Sequence, residues 1–525
     1  MKGGVARARG HPFSRMEDPM EPSASTAPFT ADAGVSLLRA RALNGLLGHL
    51  APPDREAIRS SAHALHRLLR SQGARNGGTV LVAYGGGKDS SYTVAFTRGM
   101  QLLVGRWYGD MFTLRTATNW HAGMPRAVME NIDRVYTALG MHEDPACELL
   151  LVEGSRVRPF AVGIPRSREV TARNRADILM TGHRTHADAR PTFCNACNLS
   201  MANAFGVAAS YRQGADVIIT GDSAEEQRAY TAWINRLARQ VPRHGRPGQP
   251  SGFGKVLGAL DDVARAYFED IHGPQELRGA GHGVQSEVLP HLQFFSIYAS
   301  TAYDAGSHWD LLTRHLGFVF DDLAFSFTES DCANPALMAH LRGLKAQYLF
   351  HRDYREGLDE YAAFALRLMR RKEFPQPLID TMAARYAAPE AQSVLRRRVN
   401  AFAQEAYGLD ERQLVCMVYS PFTGAGAGLR RYLASRAPHL ARCEVAIRRL
   451  LSSQDGDGDT DDRDRLAAEL EKLSGLELGQ LRTLYGSDLN PGLIQSILRG
   501  DPHKERIRTR HAPDGPEIGE TLSGR

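Results

Sequence analysis

A short apolar run followed by a glycine-rich loop constrains the fold more than any other part of this sequence. Residues 79–84 read TVLVAY, and they are followed by Gly85, Gly86, Gly87, Lys88, Asp89 and Ser90. A continuous apolar run of this length is typical of a parallel strand that is buried on both faces. A helix is predicted to begin at Asp89. The segment therefore predicts a strand, a loop and a helix in direct succession.

Predicted strands and helices alternate beyond this loop. Strands are predicted at 113–119, 148–153, 216–220 and 292–296, and helices at 125–139, 194–213 and about 309–316. This alternation indicates an α/β fold with a doubly wound, Rossmann-like parallel sheet.

Four further segments are interpreted from their composition. Amphipathic helices at 35–50 and 54–72 are expected to pack against the sheet. The Arg-rich stretch 155–193 and the Pro- and Gly-rich stretch 240–256 are predicted to be long loops that serve as lids or substrate-binding surfaces.

The chain is too long for a single core. It has 525 residues, whereas single domains usually stop growing at about 250–300 residues. We expect a disordered tail at 1–33, an α/β domain at 34–340, a mainly helical region at 341–505 and a polar tail at 506–525. The helical region is predicted either to dock a partner, to form a homodimer or to cover the α/β domain. The acidic stretch 454–463 is interpreted as a solvated linker, because it lacks the closing Glu of a calcium loop.

Composition excludes several classes of protein. With 43% hydrophobic and 23% charged residues, the chain is of the ordinary globular type. Its net charge of +5 permits a nucleic-acid partner without requiring one. The sequence lacks any run of 18 apolar residues and any apolar leader, so we expect a cytoplasmic protein without a membrane span. Six cysteines are too few for a disulfide scaffold.

The glycine-rich loop is predicted to bind an anion. Glycines let the backbone approach phosphate oxygens, and the amides at a helix N-terminus point their positive ends at the anion. The loop is not a Walker A motif, because it lacks adjacent Lys and Ser/Thr residues after a four-residue spacer. A glycine-rich turn without a ligand is the alternative interpretation.

The loop resembles the SGGxDS loop of the N-type ATP pyrophosphatases, with Gly85 at the position of the usual Ser. Members of that superfamily have a Rossmann-like domain of the HUP type and cleave ATP between its α- and β-phosphates. The resemblance covers about residues 75–335. It implies that residues 85–90 bind ATP and that Mg²⁺ binds near Asp89.

Two further segments are predicted to lie at the nucleotide. In the tRNA thiolation branch of the superfamily, the strand that matches 216–220 ends in Gly-His and acidic residues that help to hold ATP and Mg²⁺. Gly221, Asp222 and Glu225 stand at the matching places here, although Asp222 is equally suited to cap a helix. His121 follows the second predicted strand, at the edge of the sheet where nucleotides bind. We expect it either to contact ATP or the substrate or to be a loop histidine without a role.

A Cys-x-x-Cys motif is formed by Cys194 and Cys197, at the start of a predicted helix. It resembles the motif of the 2-thiocytidine synthetases and related tRNA sulfurtransferases, which take a third cysteine from a later segment. Cys332 matches that cysteine in order and spacing. The resemblance implies a [4Fe–4S] cluster held by three thiolates, with one iron open. Zinc at these thiolates and a plain structural or redox pair are the alternatives. The remaining cysteines, Cys147, Cys416 and Cys443, are interpreted as buried or neutral thiols.

The resemblance implies adenylation of a substrate carbonyl oxygen followed by sulfur transfer. The acceptor is a tRNA or a small molecule, and a protein partner is expected to donate sulfur. Ammonia transfer by an amidotransferase with a separate glutaminase subunit is the second hypothesis, and a catalytically inactive nucleotide-binding scaffold is the third. The segment that holds His183, Arg184 and His186 is interpreted as a surface that recognises an anionic substrate.

Overall fold

A mostly parallel sheet organises the first half of the chain. In the computed structural model its strands are β1 Thr79–Ala83, β2 Thr113–Asn119, β3 Cys147–Glu153, β4 Arg156–Pro159, β5 Val217–Ile219 and β6 Gln293–Phe294. Their order is β4-β3-β2-β1-β5-β6, and β4 alone in this sheet pairs antiparallel to its neighbour. The prediction of an α/β fold with a parallel sheet is confirmed.

The structure describes eleven stretches of the chain, which are 33–220, 224–242, 252–273, 282–297, 308–319, 334–371, 376–452, 460–487, 493–494, 505–510 and 517–522. Four predicted sites lie outside the described residues or involve undescribed side chains. These are Gly221, Asp222, Cys332 and the side chain of Glu225. The predicted disordered tail also lies outside them, except for its last residue.

Helices cover both faces of the sheet. The first six helices are α1 Ala33–Gly48, α2 Pro52–Ser71, α3 Lys88–Tyr108, α4 Arg126–Ala138, α5 Arg168–Arg184 and α6 Ala189–Ser210. Val80 and Val82 of β1 belong to one core cluster with α3 and α4, whereas Leu81 belongs to another with α6. Because neighbouring strand residues point to opposite faces, the continuous apolar run of β1 reflects burial on both sides.

Helix α3 is buried along nearly its whole length, from Lys88 to Gly105. One side faces the sheet, and α1 and α2 pack mainly on the helix and share a core cluster with residues of β1 and β2. The glycine-rich loop thus leads into a helix that is held by protein on several sides.

A buried ion-pair network ties α1 and α3 to the loop before β3. The Asp144 carboxylate accepts two hydrogen bonds from Arg39, at 2.7 and 2.6 Å, and one from Arg98, at 2.8 Å. The side chains of Arg98 and Asp144 are fully buried. Burial alone raises the pKa of Asp144, but the hydrogen bonds and charges of the two arginines outweigh it and lower the pKa to about 2.

The predicted long loop at 155–193 is not present. This segment contains β4, all of α5 and the beginning of α6. Ser167 caps α5 by accepting a hydrogen bond from the Val170 amide at 3.2 Å. The connection between the two helices is short because His186 and Ala187 both adopt left-handed backbone conformations, with φ of 49° and 50°. Such conformations are uncommon for residues other than glycine, so the sequence did not indicate this turn.

The described chain beyond β5 is mainly helical, and it includes the region 341–505 that was predicted to be helical. Its helices are α7 Ala224–Ala238, α8 Gly252–His272, α9 Asn334–Tyr348, α10 Tyr354–Arg371, α11 Gln376–Ala387, α12 Pro389–Tyr407, α13 Glu411–Tyr419, α14 Thr423–Gly426, α15 Leu429–Arg436, α16 Glu444–Ser452, α17 Thr460–Ser474 and α18 Leu478–Tyr485. Leu311–His315 forms a π-helical turn where a helix was predicted. The predicted loop 240–256 ends at Gly252, where α8 begins, and the predicted linker ends at Thr460, where α17 begins.

The C-terminal helices share a core with the helices of the α/β part. One hydrophobic cluster contains residues of α5, α6 and α8 together with residues of α9 to α13 and of α15 to α18. The predicted domain boundary at 340/341 falls inside α9. Within the predicted polar tail, β7 Glu505–Arg510 and β8 Glu517–Leu522 form an antiparallel pair. No helix among the described residues is long and apolar enough to cross a membrane.

Candidate nucleotide site

The glycine-rich loop lies where the order of the sheet reverses. From β1 the chain proceeds to β2 and β3 on one side, and it then crosses to β5 and β6 on the other. In open α/β sheets, ligands bind outside the carboxyl ends of the strands at this switch point. Residues 85–90 follow β1 directly, and Thr220 follows β5. The topology therefore brings Thr220, the last described residue before the second predicted segment, to the strand end beside the loop.

The backbone of the loop requires glycine at one position. Gly86 has a φ of +81°, and a Cβ atom there would lie 2.6 Å from Val128 Cγ1 of α4. Helix α3 begins at Lys88 after Gly87, which has no side chain to cap the first turn. The amides of that turn are therefore left for an anion, at the positive end of the helix dipole.

Tyr84 holds the loop in place, a role that sequence reasoning missed. Its amide donates to the Ala117 carbonyl at 2.9 Å, and its carbonyl accepts from Thr118 Oγ1 at 2.8 Å. Its hydroxyl lies 3.0 Å from Ser91 Oγ of α3. Burial raises the pKa of Tyr84 well above its usual value, so the phenol stays protonated. The only signal in the sequence was an aromatic residue at the end of the apolar run.

Two charged side chains stand at the start of α3. Lys88 Nζ lies 2.7 Å from Asp89 Oδ1, and the lysine side chain is buried whereas the aspartate is 42% exposed. Ser90 Oγ donates to the Gly87 carbonyl at 3.1 Å. The arrangement supplies a cation at the loop and a carboxylate that is open to solvent and to a metal ion.

His121 is buried at the carboxyl end of β2. Its Nδ1 accepts a hydrogen bond from the Gly123 amide at 3.0 Å, so a neutral ring carries its proton on Nε2. Burial, with the charge of Arg166, lowers the pKa of His121 to about 4. Arg166 stacks on Trp120 at 4.5 Å and donates to the Met124 carbonyl at 2.6 Å. At neutral pH His121 is therefore an uncharged hydrogen-bond donor, and the prediction that it touches a ligand remains a prediction.

The cysteines lie inside α6 rather than at its start. The helix begins at Ala189, five residues before Cys194, so the prediction that the motif stands at the start of the helix was wrong. Cys194 is buried, Cys197 is half-buried, and neither forms a disulfide. Arg190 Nη1 lies 3.3 Å from Cys194 Sγ, which puts a positive charge beside the sulfur.

The direction of α6 brings both cysteines beyond the carboxyl edge of the sheet. Ser200 Oγ donates to Asn119 Oδ1 at the end of β2, at 3.2 Å. Arg115, near the start of β2, donates to the carbonyls of Ala208 and Tyr211 at the other end of α6. With a rise of 1.5 Å per residue, Cys197 and Cys194 lie about 4.5 and 9 Å beyond Ser200 along the helix.

The described residues hold no third ligand for this pair. Among them, the one group of three His, Cys, Asp or Glu side chains that could bind a metal contains neither cysteine. Cys332 lies outside the described part. Burial raises the pKa of Cys147 and of Cys416 to about 12, in agreement with the interpretation of these two cysteines as neutral thiols.

The predicted anion-recognition segment belongs to the core. His183 is fully buried near the end of α5, and burial lowers its pKa to about 3, so the ring is uncharged. Arg184 bonds to the carbonyl and the carboxylate of Asp270 on α8. The interpretation as a substrate surface was wrong for His183 and Arg184, because both are buried among helices, whereas His186 lies in the turn after α5 and is half-buried.

A separate cleft of about 720 Å³ lies beside β3 and α6. Its lining includes Arg156, Arg173 and Arg265 and also Glu153, Glu169 and Asp261. The charges balance, so the cleft does not favour an anion. Because it does not include the glycine-rich loop, it does not define the nucleotide site.

Comparisons of the chain with protein-family models, with curated proteins and with solved structures give no match. The class of the protein therefore rests on its own fold, which is α/β with a mostly parallel sheet whose switch point carries a glycine-rich loop.

Proposed function

We propose that this protein binds ATP at residues 85–90 and adenylates a substrate carbonyl oxygen, as an ATP pyrophosphatase of the HUP type. The observation that carries this proposal is the position of the loop. It leaves β1 at the switch point and enters α3 without a side-chain cap on its first turn. A phosphate group is the ligand that such a helix terminus favours.

The residues of the loop would perform distinct tasks. The amides around Gly87 would hold the phosphates, and Lys88 would offset their charge. Asp89 would hold Mg²⁺, together with Asp222 and Glu225. A neutral His121 would donate a hydrogen bond from Nε2 to the nucleotide or to the acceptor.

The proposed reaction has two steps. The substrate oxygen forms a bond to the α-phosphorus, and the bond to the bridging oxygen breaks, so that pyrophosphate leaves. A nucleophile then forms a bond to the substrate carbon, and the carbon–oxygen bond breaks to release AMP. Positioning of both reactants supplies much of the rate.

Sulfur is the nucleophile that the cysteines favour. Cys194 and Cys197 lie beyond the same edge of the sheet as the loop, and Cys332 would be their third partner. Three thiolates are suited to a [4Fe–4S] cluster, which would leave one iron open for a sulfide ligand. Zinc at these residues would instead favour ammonia as the nucleophile and a glutaminase as the partner.

Gly86→Ala is expected to weaken ATP binding by at least about tenfold, which is about 1.4 kcal/mol. The new Cβ would press on Val128 and displace the loop. Binding should be measured by calorimetry with Mg²⁺, where the parent chain is expected to bind with a Kd between about 1 μM and 1 mM.

The matched control is Gly163→Ala. Gly163 also has a left-handed φ, of +87°, but open space surrounds its Cβ position. Its variant should bind ATP like the parent chain. Equal binding by the Gly86 and Gly163 variants, or absence of ATP binding by the parent chain, would argue against a nucleotide at this loop.

The cysteine proposal predicts about four irons per chain after anaerobic purification, with a broad visible absorption band. Cys194→Ala, Cys197→Ala and Cys332→Ala should each lose the iron, since three thiolates hold the cluster. Cys443→Ala is the control, because Cys443 is a half-buried cysteine of the C-terminal region. An iron-free parent chain, or a Cys332→Ala variant with full iron content, would refute the cluster.

A further inference from the structure

Asp177, His272 and His282 come together although they are far apart in the sequence. Asp177 lies on α5, His272 is the last residue of α8, and His282 follows α8. Their side chains are 4%, 7% and 11% exposed. The three residues offer one carboxylate oxygen and two imidazole nitrogens that all lie within 4.8 Å of one another.

The spacing of the ligand atoms is suited to a metal ion. Asp177 Oδ1 lies 2.7 Å from His272 Nε2 and 3.5 Å from His282 Nε2. Zinc binds imidazole and carboxylate ligands at about 2.0–2.2 Å, which separates neighbouring ligand atoms of a tetrahedral site by about 3.4 Å. The two observed distances bracket that value, so small side-chain movements would complete three ligands.

His282 provides an independent observation. Both of its ring nitrogens are buried and form no hydrogen bond of normal geometry, and Nε2 lies 3.5 Å from Asp177 Oδ1. Phe268 and His272 hold the ring from two sides, with centroids 4.2 and 5.5 Å away. Burying an imidazole without a partner costs free energy, and a metal bond from one nitrogen removes part of that cost.

We propose that Asp177, His272 and His282 form a binding site for a divalent first-row transition metal ion. Two imidazoles and one carboxylate are a ligand set found in zinc and non-haem iron proteins, and they leave at least one coordination position for water or a substrate. The ion would link His272 and His282, which flank residues 273–281, to Asp177 on α5.

The site adjoins the candidate nucleotide site. Asn174, one turn before Asp177 on α5, accepts a hydrogen bond from the Ala122 amide at 3.3 Å. Ala122 is the neighbour of His121, at the carboxyl end of β2. A metal ion held by Asp177 would therefore lie about one helical turn along α5 from this contact with the candidate nucleotide site.

The test is metal binding by the full chain with Cys194, Cys197 and Cys332 replaced by Ala. This background removes the other proposed metal site, so the result is independent of the iron–sulfur proposal. Zinc binding is measured by competition with a chromophoric chelator, and Co²⁺ is used as a spectroscopic probe. We expect one equivalent of zinc and the visible bands of low-symmetry, nitrogen- and oxygen-bound cobalt.

His282→Ala and Asp177→Asn should each weaken zinc binding by at least about 100-fold, since loss of a direct ligand costs no less than loss of a supporting residue. Asp177→Asn keeps the shape of the side chain, so it tests the site even if the His282→Ala variant does not fold. His142→Ala, which alters a part-exposed histidine beside Asp133, should bind normally. Zinc affinity equal to the parent's in both ligand variants, or absence of zinc from the folded parent, would overturn the proposal.

Discussion

Replacement of Asp89 by Asn is expected to abolish the increase in ATP affinity that Mg²⁺ causes, and to slow AMP formation from ATP on the order of 100-fold. Asp89 is the carboxylate at the start of α3, beside Lys88 and 42% exposed. Asn keeps the shape of the side chain but removes the charge that would attract the proposed Mg²⁺ ion. Removal of one electrostatic contact to a reacting group typically costs 10²–10³ in rate.

The readouts for Asp89→Asn are calorimetry with and without Mg²⁺, and AMP release from labelled ATP. Asp110→Asn is the matched control, because Asp110 follows the other end of α3 and is 54% exposed in an ion pair with Arg70. The control should behave like the parent chain. If Asp89→Asn retains the full effect of Mg²⁺ on ATP affinity, Asp89 does not hold the metal.

Asp144→Asn is expected to lower the free energy of unfolding by about 3–5 kcal/mol. The substitution leaves Arg39 and Arg98 without their anion, and Arg98 is fully buried. Removing one partner of a buried ion pair has this cost because the remaining charge stays desolvated. Urea unfolding of the two proteins measures the difference.

The control for Asp144→Asn is Asp133→Asn on α4. Asp133 is 45% exposed and pairs with His142, so its loss should cost less than about 1 kcal/mol. Equal destabilisation by the two substitutions would contradict a special role for the buried network.

The same network predicts a dependence of stability on pH. The pKa of Asp144 is lowered from 3.8 to about 2 in the folded chain, so the folded state favours the ionised carboxylate. Its stabilisation is present above about pH 4 and is lost as the pH falls toward 2. The difference between parent and Asp144→Asn should therefore shrink by about 2 kcal/mol over that range. The Asn variant also places amide hydrogens against the arginines, so its total cost exceeds this amount.

The strands and the loop were predictable because local patterns encode them. A strand that is buried on both faces, such as β1, appears in the sequence as a continuous apolar run. The glycines after it mark where the backbone must turn. The observed bounds of β1, β2 and β3 differ from the predicted bounds by at most one residue at either end. Gly86 adopts a φ of +81°, a left-handed conformation that glycine takes up without steric cost, so a glycine there was informative.

Helix α5 was not predictable from periodicity. Its first half is rich in arginine and half-exposed, and its last turns are buried between α8, α13 and other helices. A polar segment of this kind resembles a loop in the sequence, and only the surrounding helices decide that it is helical. The start of α6 was also predicted at the wrong residue. The turn at His186 and Ala187 that precedes this helix contains no glycine or proline to mark it.

The sequence by itself determined the parallel sheet, the loop after β1 and the residue types available for phosphate, magnesium and sulfur chemistry. Tertiary structure decided which of these residues meet. It buried His183 and Arg184 among helices, moved the cysteines away from the start of α6, and joined Asp177 to two histidines about 100 residues later. The reason is physical: strand and turn signals arise from contacts near in sequence, whereas burial and ligand geometry depend on contacts between distant segments.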